Sequence, residues 1–148
     1  MGFWARGKLR KVALTGGAPE DICDAAEGWP AAWADDGFIF FTATSGAGLS
    51  RVSAAGGSPE IVTTPRRDRR EKFHGDPSIL PGGKAVLLTV ATADIRSFDD
   101  ADVEAVTLAT GQRKTLVRGG MNARYVASGH LIYGRAVGGP SIKVLSRH

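Results

Sequence analysis

LRKVALTGGAPE, residues 9–20, returns forty positions later as LSRVSAAGGSPE, residues 49–60. The copies share Leu9/Leu49, Val12/Val52, the glycine pairs Gly16-Gly17/Gly56-Gly57, Pro19/Pro59 and Glu20/Glu60. An eroded third copy, VEAVTLATGQRK, spans residues 103–114; Val106 stands where Val52 does, and Gly111 where Gly57 does. A fixed period of about 40–50 residues is the mark of a repeat architecture.

Within each copy apolar and polar side chains alternate, the pattern of a strand with one buried face. The glycine pair gives the backbone freedom for a tight reversal. In the first two copies proline follows, at the start of a short outer strand where its missing N–H does least harm. Each copy therefore reads as an antiparallel hairpin.

A second signal lies between the copies. WADDGFIFF (residues 33–41), ILPGGKAVL (79–87) and YVASGHLIY (125–133) each run from an apolar residue through a short turn to glycine, then into an apolar strand. Gly37, Gly83 and Gly129 stand 46 residues apart each time. Two hairpins per unit make a four-stranded antiparallel sheet, and such sheets recurring at this period are propeller blades. The expected fold is all-β: a partial β-propeller of four-stranded antiparallel blades, about three and a half of them. The blade parts fall at about residues 1–23, 29–63, 76–117 and 123–148 of a single domain, with three, four, four and three strands.

The 148 residues suffice for one domain that buries roughly two-thirds of its unfolded surface. A hydrophobic share of 43% with 20 glycines suits a turn-rich globular chain rather than a disordered one. The net charge of +4 is too modest to signal nucleic acid, and none is expected as a partner. No apolar run is long enough to span a membrane, and the N-terminus lacks the core of a signal peptide. A chain complete as written would stay in the cytoplasm. Cys23 is the single cysteine and reads as a small buried apolar residue in an outer strand.

The search for chemistry returns little. His74, His130 and His148 are far apart and lack ligand-spaced partners, so no metal site and no cofactor is expected. No G-x-S-x-G elbow, phosphate-binding glycine loop or kinase catalytic motif occurs, and no catalytic residue is assigned. Asp94, Asp99, Asp100 and Asp102 could suggest calcium, but their spacing fails the EF-hand pattern and an exposed hairpin tip is the better reading. Trp4, Trp29, Trp33, Phe40 and Phe41 read as blade packing rather than a ligand cage. The charge run PRRDRREKFHG (residues 65–75) reads as a solvated connector between blades. Its Arg66, Arg67, Arg69 and Arg70 are the candidate binding residues, for a phosphate or acidic peptide.

GKLRKVALTGGAPEDICDA, WADDG–FIFF, GLSRVSAAGGSPEIVTTP and LPGG–AVLL together resemble TolB-like β-propeller repeats. They resemble in particular the version fused C-terminally to bacterial serine/threonine protein kinases, with K-[IL]-x-x-x-G-G-x-P followed by W-S-P-D-G-x-I-x-F. Here Asp35 replaces the usual proline, Gly82 replaces the usual aspartate, and residues 125–129 keep only the glycine. The resemblance implies a sensing or protein-binding module outside a catalytic domain, often extracytoplasmic. The expected function is thus a non-catalytic binding or scaffold module for a protein or small ligand. Binding would use the rim or the inner-strand turns of adjacent blades. The alternative is the propeller portion of a kinase or hydrolase whose catalytic domain lies elsewhere. Strand edges left open at both ends make self-association a physical expectation.

Overall fold

A computed structural model describes residues 1–26, 28–135 and 141–144. His148 and the ends of the last two expected strands (Ala136, and Leu145 with Ser146) lie outside the described residues. The first sheet holds β1 (Gly2–Ala5), β2 (Lys8–Lys11) and β3 (Glu20–Asp24). The second holds β4 (Ala32–Trp33), β5 (Phe38–Thr42), β6 (Leu49–Ser53) and β7 (Glu60–Ile61). The third holds β8 (Glu71–Ile79), β9 (Ala85–Thr92), β10 (Asp102–Thr107) and β11 (Arg113–Arg118). The fourth holds β12 (Met121–Val126), β13 (His130–Gly134) and β14 (Ser141–Val144). Every pairing is antiparallel between chain neighbours, and a single 3-10 turn, Phe98–Asp100, is the one helical piece among the described residues.

The repeat is visible in the backbone. Gly16 and Gly17 take φ of 97° and 120°, and Gly56 and Gly57 take 101° and 119°. L side chains avoid this region, so both copies require glycine there. The inner hairpins repeat as well: the amides of Gly37, Gly83 and Gly129 bond the carbonyls of Ala34, Leu80 and Val126 at 2.9–3.0 Å.

The sheets pack face to face in chain order. Because each inner sheet has neighbours on both sides, its central strand is apolar on both faces, which is why FIFF and AVLL are unbroken runs. Along β5, Ile39 and Phe41 join Leu9, Ile22 and Val52 between the first two sheets, while Phe40 joins Leu49, Val86 and Leu88 between the second and third. Along β9, Leu87 faces the other way and meets Val103, Val117 and Leu131. Phe40 and Phe41 are almost wholly buried, and each such side chain stabilises the packing by roughly 1.5–3 kcal/mol. Cys23 is buried as well, and its thiol is pushed up by that burial. The first strands of the second, third and fourth sheets, β4, β8 and β12, touch along one edge, from which the sheets fan out as blades.

One expectation needs correction. The sequence suggests a solvated connector through residue 75 and a third blade beginning near 76, whereas β8 already begins at Glu71. Glu71 and His74 are buried. Charge density resists burial only while the charges lack partners, and here they have them.

Candidate functional site

The rim cluster is built where the second blade hands over to the third. Residues 67–70 form a turn, with the Arg70 amide bonded to the Arg67 carbonyl at 3.0 Å. Arg70 takes a positive φ of 54° there. The turn returns the chain so that the Arg66 amide donates to Glu71 Oε2 at 2.8 Å. Arg113 of β11 clamps the same carboxylate through Nη2 at 2.8 Å and Nη1 at 3.1 Å, and reaches Glu104 of β10 through Nε at 2.7 Å. His74 Nε2 lies 2.8 Å from Glu71 Oε2, and its Nδ1 lies 2.7 Å from Thr63 Oγ1. The Thr63 hydroxyl also accepts the Leu49 amide at 2.9 Å.

The protons in this chain of bonds are fixed by the partners. A carboxylate only accepts, so His74 donates from Nε2; with burial keeping the imidazole neutral, Nδ1 accepts the Thr63 hydroxyl proton. This is neutral histidine. Burial pushes its pKa below the ordinary 6.5 against the pull of Glu71. Burial also raises the Glu71 carboxyl, but Arg113, the Arg66 amide and His74 outweigh it and hold the group at about 2. A hydroxyl, an imidazole and a carboxylate in series have the makings of an activated nucleophile. Thr63 is 4% exposed, however, and His74 not at all, so no substrate reaches them. The cluster is a buried clamp between blades.

The four candidate arginines do not converge. Arg69 turns inward, 3.4 Å from Glu104 Oε1 and 3.6 Å from Glu71 Oε1. Arg70 pairs with Asp94 at 2.8 Å. Arg66 and Arg67 are exposed. Asp94 and Asp102 are held by Arg70 and Arg118, and Asp100 accepts the Arg96 amide, so the acidic tip is spread over separate partners. Among the described residues no three His, Cys, Asp or Glu side chains form a group that could hold a metal ion.

A different surface has the shape of a binding site. A groove of about 610 Å³ lies across the inner-strand turns of three blades. The turn after β4 supplies Asp35 and Asp36, the turn after β8 supplies Leu80 to Gly83, and β12 supplies Tyr125. Trp33 stands at its edge, 46% exposed. It also borders two further clefts, of about 420 and 490 Å³, toward the first blade. Trp4 and Trp29 do pack as expected: Trp4 tilts against Phe41 at 5.8 Å and donates from Nε1 to the Trp29 carbonyl at 3.0 Å, while Trp29 meets Phe73 edge-on at 5.3 Å. Trp33 departs from that reading. Its side chain lies against Gly2 and otherwise faces the clefts.

Thr63, Glu71, His74, Glu104 and Arg113 are not legible as a group in the sequence. One signal is present there: Arg113 stands in the eroded third copy where Pro19 and Pro59 stand.

Solved structures share this fold. TolB from Acinetobacter baumannii superimposes with a TM-score of 0.69 at 21% identity, over 91% of this chain and 34% of that one. The fold is part of a β-propeller, similar to that of TolB. A putative TolB from Agrobacterium tumefaciens matches with a TM-score of 0.62 at 17% identity, over 92% of this chain and 50% of that one. An oligogalacturonate lyase in complex with manganese matches with a TM-score of 0.67 at 14% identity, over 91% and 38%. The chain thus spans about a third to a half of each of these structures. No family model and no curated protein matches it. Among the described residues no helix is long and apolar enough to cross a membrane.

Proposed function

We propose that this chain is a non-catalytic binding module, a section of a larger propeller that receives a protein or small ligand on the axial surface formed by its inner-strand turns. The observation that carries this reading is the groove over three adjacent blades with Trp33 exposed at its edge. An aromatic side chain of that size, in contact with solvent beside a concave surface, is the kind of residue that dominates binding energy at interfaces. The polar cluster that could suggest catalysis is sealed from solvent. The resemblance to kinase-fused propellers favours the sensor region of a serine/threonine kinase as the parent protein. A propeller-containing hydrolase is the other parent, and the genomic DNA on both sides of this stretch distinguishes the two.

The direct test places a photo-crosslinking benzoylphenylalanine at Tyr125 in the groove and, as control, at Ile61, which is 78% exposed on the outer strand β7. The expected result is a discrete adduct, identified by mass spectrometry, from position 125 and none from position 61. Equal yields at both positions, or none at 125, would overturn the reading. Exposed Arg66 and Arg67 on the rim offer a second surface for an acidic ligand. Reversing their charge in R66E/R67E leaves affinity for the cross-linked partner unchanged if the groove is the site.

A further inference from the structure

We propose that the groove is a receptor for a cationic side chain, an arginine or lysine carried by an extended basic segment of a partner protein. This rests on the binding reading above and specifies what the groove takes.

Charge points that way first. Asp35 and Asp36 are adjacent, exposed and in the groove, and none of the ion pairs among the described residues involves either of them. Eight other carboxylates have a cation: Glu20, Asp21, Asp24, Glu60, Glu71, Asp94, Asp102 and Glu104. In a chain of net charge +4, a carboxylate pair without a basic partner is a local departure from the prevailing sign. Among the described residues no lysine, arginine or histidine lines the groove.

The protein already uses the arrangement that such a cation would complete. In the same sheet the Arg51 guanidinium lies 4.6 Å over the Phe38 ring while its Nε is 2.9 Å from Glu60 Oε2. A cation is thus held between an aromatic face and a carboxylate, each of which attracts it. The groove is lined by the same kinds of partner, the rings of Trp33 and Tyr125 and the carboxylates of Asp35 and Asp36. Its volume of about 610 Å³ lies within the usual range for ligand sites and has room for a side chain with flanking backbone. The two neighbouring clefts that Trp33 borders continue the surface, which suits an extended segment better than a compact ion.

The test titrates the chain with a hexa-arginine peptide, and with hexaglutamate as control, by calorimetry at low salt. The net charge repels a polycation at long range, so saturable binding points to a local group of carboxylates, and D35N/D36N tests whether it is this one. Saturable 1:1 binding of hexa-arginine is expected, at least tenfold weaker in D35N/D36N and weaker again in W33A. The Phe38 amide now donates to Asp36 Oδ1 at 3.1 Å, and the side-chain oxygen that D36N retains can accept the same bond, so the turn is kept. No saturable binding, equal binding of hexaglutamate, or binding unmoved by D35N/D36N would overturn the proposal. A partner cross-linked through position 125 whose affinity is unmoved by D35N/D36N would sink the cationic assignment and leave the binding module standing. Loss of cross-linking at position 125 would remove the module itself.

Discussion

Thr63 Oγ1 lies 2.7 Å from His74 Nδ1, and the two residues belong to successive blades. The Thr63 hydroxyl accepts the Leu49 amide and donates its own proton to the imidazole, so β6 of one blade is bonded through a single oxygen to the first strand of the next. Thr42 adds a parallel link, its hydroxyl donating to the His74 carbonyl at 2.5 Å. Replacing Thr63 by valine keeps the shape and strands two buried polar groups. The expected loss is about 1–3 kcal/mol, read as a lowered urea midpoint with unchanged slope. T63S should recover most of it.

Arg113 is the centre of the clamp. Its side chain is nearly buried and is bonded to two buried carboxylates, Glu71 and Glu104. In R113M those carboxylates lose their shared cation, and Arg69, at 3.4–3.6 Å and half-exposed, cannot replace it. Breaking a buried pair this way costs about 3–5 kcal/mol. Equilibrium unfolding of R113M against R69M separates the two arginines; a loss below about 1 kcal/mol in R113M would contradict the clamp.

Acid should open the same clamp in stages. His74 is pushed below its ordinary 6.5 by burial, so the unfolded chain takes up that proton first and stability declines as pH falls below 6.5. Glu71, held at about 2 against an ordinary 4.5, contributes in full above pH 4.5 and loses its contribution as pH falls from there toward 2. Asp76 has the opposite sign. Burial, outweighing Thr89 and Arg124, raises its pKa above 3.8, so its protonation on acidification favours the fold. Urea midpoints measured from about pH 8 to about pH 3 should be flat above about pH 7, fall below 6.5 and steepen below 4.5. In E71Q the fall below 4.5 should be shallower, what remains coming from carboxyls such as Asp24, which Lys8 holds below its ordinary value.

Gly48 is required by contact rather than by φ. A Cβ there would sit 1.8 Å from the Thr63 carbonyl oxygen, so the turn after β5 and the segment after β7 that bears Thr63 would have to separate. G48A should destabilise by about 2 kcal/mol or more, because backbone cannot yield as a side chain can. Alanine at Gly46, which has open space around it but a φ of 80°, tests strain without the clash. Thermal melts of the two variants, with G48A the lower, would check the distinction.

The repeat made the fold legible. Leu9 and Leu49 are buried at equivalent rungs, opposite Trp4 and Thr42, and the glycine pairs take matching φ values, because a hairpin depends on alternation and turn chemistry within a few residues. Unbroken runs such as FIFF likewise announce strands buried on both faces. The charged connector is a different case, because its meaning depends on distant residues. Residues 66–71 look like a solvated run until Arg113 and Glu104, more than thirty positions on, close over Glu71.

The sequence by itself therefore determined what is local and periodic: strands, turns, the blade unit and the absence of the familiar catalytic motifs. Only the tertiary structure decided which polar groups are sealed and which stay open. Glu71, Asp35 and Asp36 are all carboxylates within charged or polar stretches, but the first is buried against Arg113 and the other two face the groove without a cation. The physical reason is that the energy of a charge is set by what surrounds it, and its surroundings come from neighbouring blades rather than from neighbouring residues.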